Sequence, residues 1–233
     1  MGQKIHPLGF RIGVTERWRS RWMCPKKDRA QLVREDQLIR KHLKKAYFSA
    51  GITRLDVERS GDTTKVIMFT ARPGILLGRK GQKLDEIRAE LQQILKDKTR
   101  KLDVVIQEVQ RPELDGQLLS ESIREQIEKR QPFRRVLKKA VQTAVSAGAR
   151  GVRVRLSGRL GGAELSRVEH LSKGSIPLQT LTADINYGFT EAVTPMGHIG
   201  IKCWIFRGKY GEKLKEREPG EERTRRTGFR PTR

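Results

Sequence analysis

The chain has 233 residues, enough for two domains of ordinary size. Fifty Lys and Arg against twenty-seven Asp and Glu leave a net charge of +23, and apolar residues make up 36%. Charge of that size makes a compact protein repel itself, so it points to a polyanionic partner whose condensed counterions Lys and Arg displace. No run of 18 apolar residues is present to span a membrane, and the N-terminus has no apolar signal core. Position 6 is His6, where myristoylation needs Ser or Thr. Cys24 and Cys203, the two cysteines, form neither a CxxC pair nor a disulfide framework. The expectation is a cytoplasmic, reduced protein with no membrane anchor, no cofactor and no small-molecule substrate.

Residues 1–28 read as a basic arm broken by Gly and Pro, in which Arg17, Arg19 and Arg21 alternate with Trp18 and Trp22. The Trp rings can stack on bases or cover the edge of a core, and the pattern favours neither. Residues 29–50 predict a helix with Leu32, Ile39, Leu43, Ala46 and Ala50 on one face, stopped by Gly51. Two strands follow around a Ser60-Gly61-Asp62 turn, the first with Leu55 and Val57, the second with Thr64, Val66 and Met68. Pro73-Gly74 ends the second strand. A short apolar turn reaches Gly78, a helix runs from about Gly81 to Asp97, and a strand spans Leu102 to Val109. Arg111-Pro112 opens a linker.

Beyond it, Leu118, Leu119, Ile123 and Ile127 mark one helix. Phe133, Val136, Leu137, Ala140, Val141, Ala144 and Val145 mark a second, led by Pro132 and capped by Gly148. Val152, Val154 and Leu156 alternate with Arg153 and Arg155 in a strand, followed by the glycine-rich loop 158–162. A long hairpin closes the fold, with Leu181, Ala183, Ile185, Tyr187 and Phe189 on one arm and Ile199, Ile201, Cys203 and Ile205 on the other. From Arg207 onward the chain is charged and poor in apolar residues, and residues 209–233 are expected to be a disordered tail.

Two segments carry the chemistry. Gly78-Arg79-Lys80-Gly81 sits between two helices, where glycines let the backbone approach a nucleic-acid strand and the next helix aims its amides at phosphate. With the flanking order helix, strand, strand, helix, helix, strand, this GxxG matches the clamp of a KH domain of the bacterial type. Residues 129–163 hold ten bases and no acid: Lys129, Arg130, Arg134, Arg135, Lys138, Lys139, Arg150, Arg153, Arg155 and Arg159. A merely solvated face normally mixes signs, so this run points to phosphate contact. Enzyme constellations are missing. His6, His42, His170 and His198 have no metal spacing, GILLGRK at 74–80 lacks the Lys-Ser/Thr ending of a P-loop, and Asp184 and Glu191 suggest no acid–base pair.

The motifs GQKIHPLGFRIG at 2–13, GRKG at 78–81, FRRVLKKAVQTAV at 133–145, VRLSGRLGGAELSR at 154–167, IPLQTLTADINYG at 176–188 and GIKCWIF at 200–206 resemble, in order, the bacterial family of small-subunit ribosomal protein number three. The resemblance reaches to about residue 208. The segment EHLSKGS at 169–175, read as a loop, departs from the family pattern. The resemblance implies an α+β protein of two domains: a type II KH domain at 29–111, and at 112–208 a C-terminal α/β domain with two helices on a mainly antiparallel sheet. It implies a non-enzymatic role in the head of the small subunit, with small-subunit rRNA, mRNA and neighbouring ribosomal proteins as partners. Arg134, Arg135, Lys138 and Lys139 then form the basic helix at the mRNA entrance. Arg79 and Lys80 serve the KH loop, and Arg11, Arg153, Arg155 and Arg159 are further RNA contacts. The alternative reading is a free KH protein that regulates mRNAs.

Overall fold

A computed structural model describes residues 3–61, 63–78, 81–95 and 101–211. The N-terminal half builds one sheet in the order β1-β2-β3-β4 from Ser20–Arg21 (β1), Ile52–Ser60 (β2), Thr63–Thr70 (β3) and Lys101–Glu108 (β4). β2 and β3 form an antiparallel hairpin, and β1 and β4 join its two sides in parallel. Helix α2 (Arg29–Ala46), short helix α3 (Pro73–Leu77) and helix α4 (Gln82–Leu95) supply the rest of this core. Ile39, Leu43, Leu76, Ile87 and Leu91 meet Leu55, Val66, Met68 and Val104 there. Full burial of each such side chain stabilises by about 1.5–3 kcal/mol. The expected order of elements is present, with α2 giving way at Tyr47 to a 3-10 turn over Phe48–Ala50. Ala46 is exposed. Glu35 and Asp36 take the inward positions between Leu32 and Ile39, and both bind the buried Arg59.

The C-terminal half is a second, wholly antiparallel sheet in the order β6-β5-β8-β7, from Gly151–Gly158 (β5), Arg167–Gly174 (β6), Ala183–Thr194 (β7) and Gly197–Lys209 (β8). Helices α5 (Gly116–Glu128) and α6 (Phe133–Ser146) cover one face. Val136, Leu137, Val141 and Ala144 of α6 pack with Val154, Leu156, Ile201 and Cys203. Burial pushes the Cys203 thiol far above its usual range, so it stays a protonated apolar filler. Asp115 caps α5 through the amides of Gln117 and Leu118. The start of α5 lies almost on the backbone of β7: a Cβ at Gly188 would fall 2.0 Å from the Gly116 carbonyl oxygen.

The arm is partly built into the fold, and two expectations need correction. Pro7–Arg11 forms helix α1 against β7, and Ser20–Arg21 extends the first sheet. Of its two Trp rings, Trp22 donates its indole N–H to Asp36 at 2.8 Å, while Trp18 stays exposed. The segment 169–175 is no loop but most of edge strand β6, paired with β5 from Gly151–Gly174 to Gly158–Arg167. The charged C-terminal stretch begins later than expected, because Arg207–Lys209 completes β8, with Arg207 Nε donating to the Leu114 carbonyl at 3.0 Å. The remainder of the tail, residues 212–233, lies outside the described residues.

Candidate nucleic-acid interface

Helix α6 turns its apolar stripe inward at positions 136, 137, 140, 141 and 144, as the 3.6-residue period requires. Arg134, Arg135, Lys138 and Lys139 are thereby left on the solvent side, all exposed. None of the four makes an ion pair within 4.0 Å among the described residues. Like charges three and four residues apart cost a helix about 0.2–0.5 kcal/mol per pair, and pairs 134–138, 135–138 and 135–139 all have that spacing. Phe133, at the head of the helix, carries the guanidinium groups of Arg134 and Arg167 at 5.8 and 5.5 Å from its ring centroid. The helix thus presents a ridge of unneutralised cations that can follow a phosphate backbone without reading bases.

The other basic residues do not join this ridge. Arg153 and Arg155 point from β5 to the sheet face opposite α6, so the acid-free run 129–163 serves two sides of the domain. On that outer face Arg155 is exposed, and its strand neighbours are His170 and Lys202. Arg153 lies over the Trp204 ring at 5.8 Å, and Tyr187 packs on Trp204 at 5.5 Å. Arg159 donates to the carbonyls of Ala163 and Met196 at 2.8 and 3.3 Å, which ties the glycine-rich loop to the β7–β8 turn. Arg11, expected to touch RNA, is a correction. It is 1% exposed and donates to the carbonyls of Pro7, Leu178, Thr180 and Ala183 at 2.9–3.1 Å. Its guanidinium is spent on the fold.

In the KH loop, Arg79 and Lys80 lie outside the described residues. The flanking glycines both have positive φ, 64° at Gly78 and 81° at Gly81. A Cβ on Gly78 would come within 2.9 Å of Lys83 Cγ, whereas one on Gly81 would meet nothing within 4 Å. Gly81→Ala therefore isolates the backbone term. It is expected to lower stability by about 1 kcal/mol in urea unfolding, because L-residues with a side chain disfavour left-handed φ. An unchanged midpoint would mean that the loop relaxes to negative φ.

Sequence reasoning passed over Arg40, Lys41 and Lys44 of α2, which with Arg19 line one cavity beside β2. Their signal was present as basic positions on the polar side of α2, three and four residues apart. Among the described residues, no group of three or more His, Cys, Asp and Glu is placed to hold a metal, and no helix is long and apolar enough to cross a membrane.

Comparison with known proteins adds identity to this geometry. Residues 38–114 match the family described as KH domain, and residues 123–205 match the family described as ribosomal protein S3, C-terminal domain. A protein of Rhodopirellula baltica named small ribosomal subunit protein uS3 is 49% identical over 217 residues, covering 91% of each chain. The protein of that name from Koribacter versatilis is 48% identical over 219 residues, covering 94% of this chain and 96% of its own. That from Coprothermobacter proteolyticus is 44% identical over 228 residues, covering 97% of both. Identity of this order over nearly the whole length, with both domain families in their expected order, shows that the chain belongs to the small ribosomal subunit protein uS3 family.

Proposed function

We propose that helix α6 faces messenger RNA where it enters the small subunit, while the KH loop and the outer face of the second sheet contact rRNA and neighbouring ribosomal proteins. As a member of its family the chain is a structural, non-enzymatic component of the small ribosomal subunit, with rRNA as its partner. The observation that carries the finer reading is the exposed cation set Arg134, Arg135, Lys138 and Lys139, unpaired by any described acid. Such a ridge holds single strands by charge and leaves their bases free to pass. Work for opening message hairpins comes from the elongation cycle, since the chain shows no nucleotide motif.

The triple variant R134A/R135A/K138A tests it. Subunits carrying it should assemble, because the substituted side chains are exposed. Unstructured messages should translate at nearly the parent rate. A message with a stable hairpin ahead of the ribosome should slow about fivefold, the effect of roughly 1 kcal/mol on a rate-limiting barrier. Equal slowing on both messages, or none on the structured one, removes α6 from the mRNA path. Failed assembly assigns the three residues to rRNA instead.

A further inference from the structure

A cavity of about 360 Å³ opens between the N-terminal arm, helix α2 and strand β2. Five of its eight lining residues are cations, Arg19, Arg40, Lys41, Lys44 and Arg54, and none is an acid. Neither the GxxG glycines nor any residue of α6 contributes to it. Positions 37, 40, 41 and 44 form one stripe of α2, and Arg19 and Arg54 close the space from the arm and the sheet.

The five cations are not equivalent. Arg54 is neutralised from behind by the buried Asp56, which takes its Nε at 2.7 Å. Arg40 is steered rather than neutralised: one of its nitrogens donates to the Arg19 carbonyl at 3.0 Å and to Ser20 Oγ at 2.8 Å. Arg19, Lys41 and Lys44 make no ion pair within 4.0 Å among the described residues. Both Arg19 and Lys44 have their pKa lowered. Desolvation by the surrounding protein is the first cause for each, even though both residues are exposed as a whole. The charges of Arg54 and Arg40 add to this for Arg19, while Glu16 and Asp56 pull the other way. For Lys44, Glu121 pulls the other way against Arg19 and Arg40. Gathering like charges into a concavity costs the free protein stability. It also focuses a positive potential on the space they enclose.

We infer that this cavity is a second RNA site, which seats the sugar-phosphate backbone of an rRNA strand between the arm and helix α2. The inference rests on the reading that the chain works bound to rRNA. No aromatic residue lines the cavity to stack on a base, so the contact is with phosphate and independent of sequence. The arm residue Arg19 and the helix residues Lys41 and Lys44 act as three separate phosphate ligands.

Two measurements on the full-length chain test this. In the first, R19Q/K41Q/K44Q is compared with the parent for binding a short mixed-sequence single-stranded RNA. Three lost phosphate contacts should reduce the slope of log affinity against log salt by about 2, at roughly 0.7 per contact. Affinity at low salt should fall at least tenfold. The free variant should also melt higher, by about 2–4 °C, because repulsion is relieved. An unchanged slope, or a lower melting temperature, overturns the site. In the second, Lys41 and Lys44 of the parent are acetylated alone, with the RNA, and with an uncharged morpholino strand of the same sequence. RNA should protect both lysines and the morpholino neither. Bound RNA that leaves both reactive removes this site but keeps RNA binding elsewhere, whereas a parent that binds no RNA defeats the ribosomal-RNA reading itself. Lysines that stay reactive in assembled subunits, where the rRNA is present, overturn the proposal.

Discussion

Arg59→Met is expected to lower the stability of the KH half by about 3–5 kcal/mol, the cost of leaving buried carboxylates without their cation. Arg59 bridges Glu35 at 2.8 Å and Asp36 at 2.7 Å, and all three side chains are less than a tenth exposed. Ser20 and Trp22 of the arm also donate to Asp36, so the same network fastens the arm to α2. A loss of this size is a large share of a domain's net stability of about 5–15 kcal/mol. Urea unfolding with a reporter in the KH half measures it. Adding Glu35→Gln and Asp36→Asn to Arg59→Met should recover much of the loss, because a charge-free cluster carries no ionic desolvation cost. If Arg59→Met alone costs under about 1 kcal/mol, the cluster is solvated and the ion pairs are of the weak surface kind.

Arg11→Ala is the second large effect, with an expected loss of about 3 kcal/mol or more. Four carbonyls share the Arg11 guanidinium, three of them from the segment 178–183, and a hydrogen bond to a charged group contributes about 1.5–3 kcal/mol net of the exchange with water. The variant should also release the arm, so that limited trypsin digestion cuts it sooner than in the parent. Arg11→Lys should restore little, because an ammonium cannot spread its donors over the planar fork these carbonyls fit. Full rescue by Lys would show that charge alone, and not the fork, holds the arm.

Much of the fold was legible because apolar spacing is local. The stripe Val136, Leu137, Ala140, Val141 and Ala144 fixes α6 and, by exclusion, the outward cations of the candidate site. The KH half was readable from GxxG and the order of elements around it. What escaped was set by distant partners. Glu35 and Asp36 look like solvent residues until Arg59, 24 and 23 residues later, turns inward to meet them. Strand β6, RVEHLSKG, has too little apolar alternation to announce itself, and its pairing comes from the open ladder of β5. Arg11 reads as one more cation in a basic arm, and only carbonyls at least 167 residues away show that it is structural. The free KH regulator gives way to the ribosomal reading, because the relatives match far beyond the KH half.

The anchorage of α1 on β7 has a consequence in time. Arg11 is made well before its partner: Ala183, which accepts from its Nε, is added 172 residues later. At about 5–20 residues per second the interval is roughly 10–35 s. Once Glu108 completes β4 the KH core has all its strands and helices, while the arm still has no C-terminal sheet to dock on. A cationic ribbon thus precedes its berth, and the last hairpin to emerge is the one that retrieves the first helix.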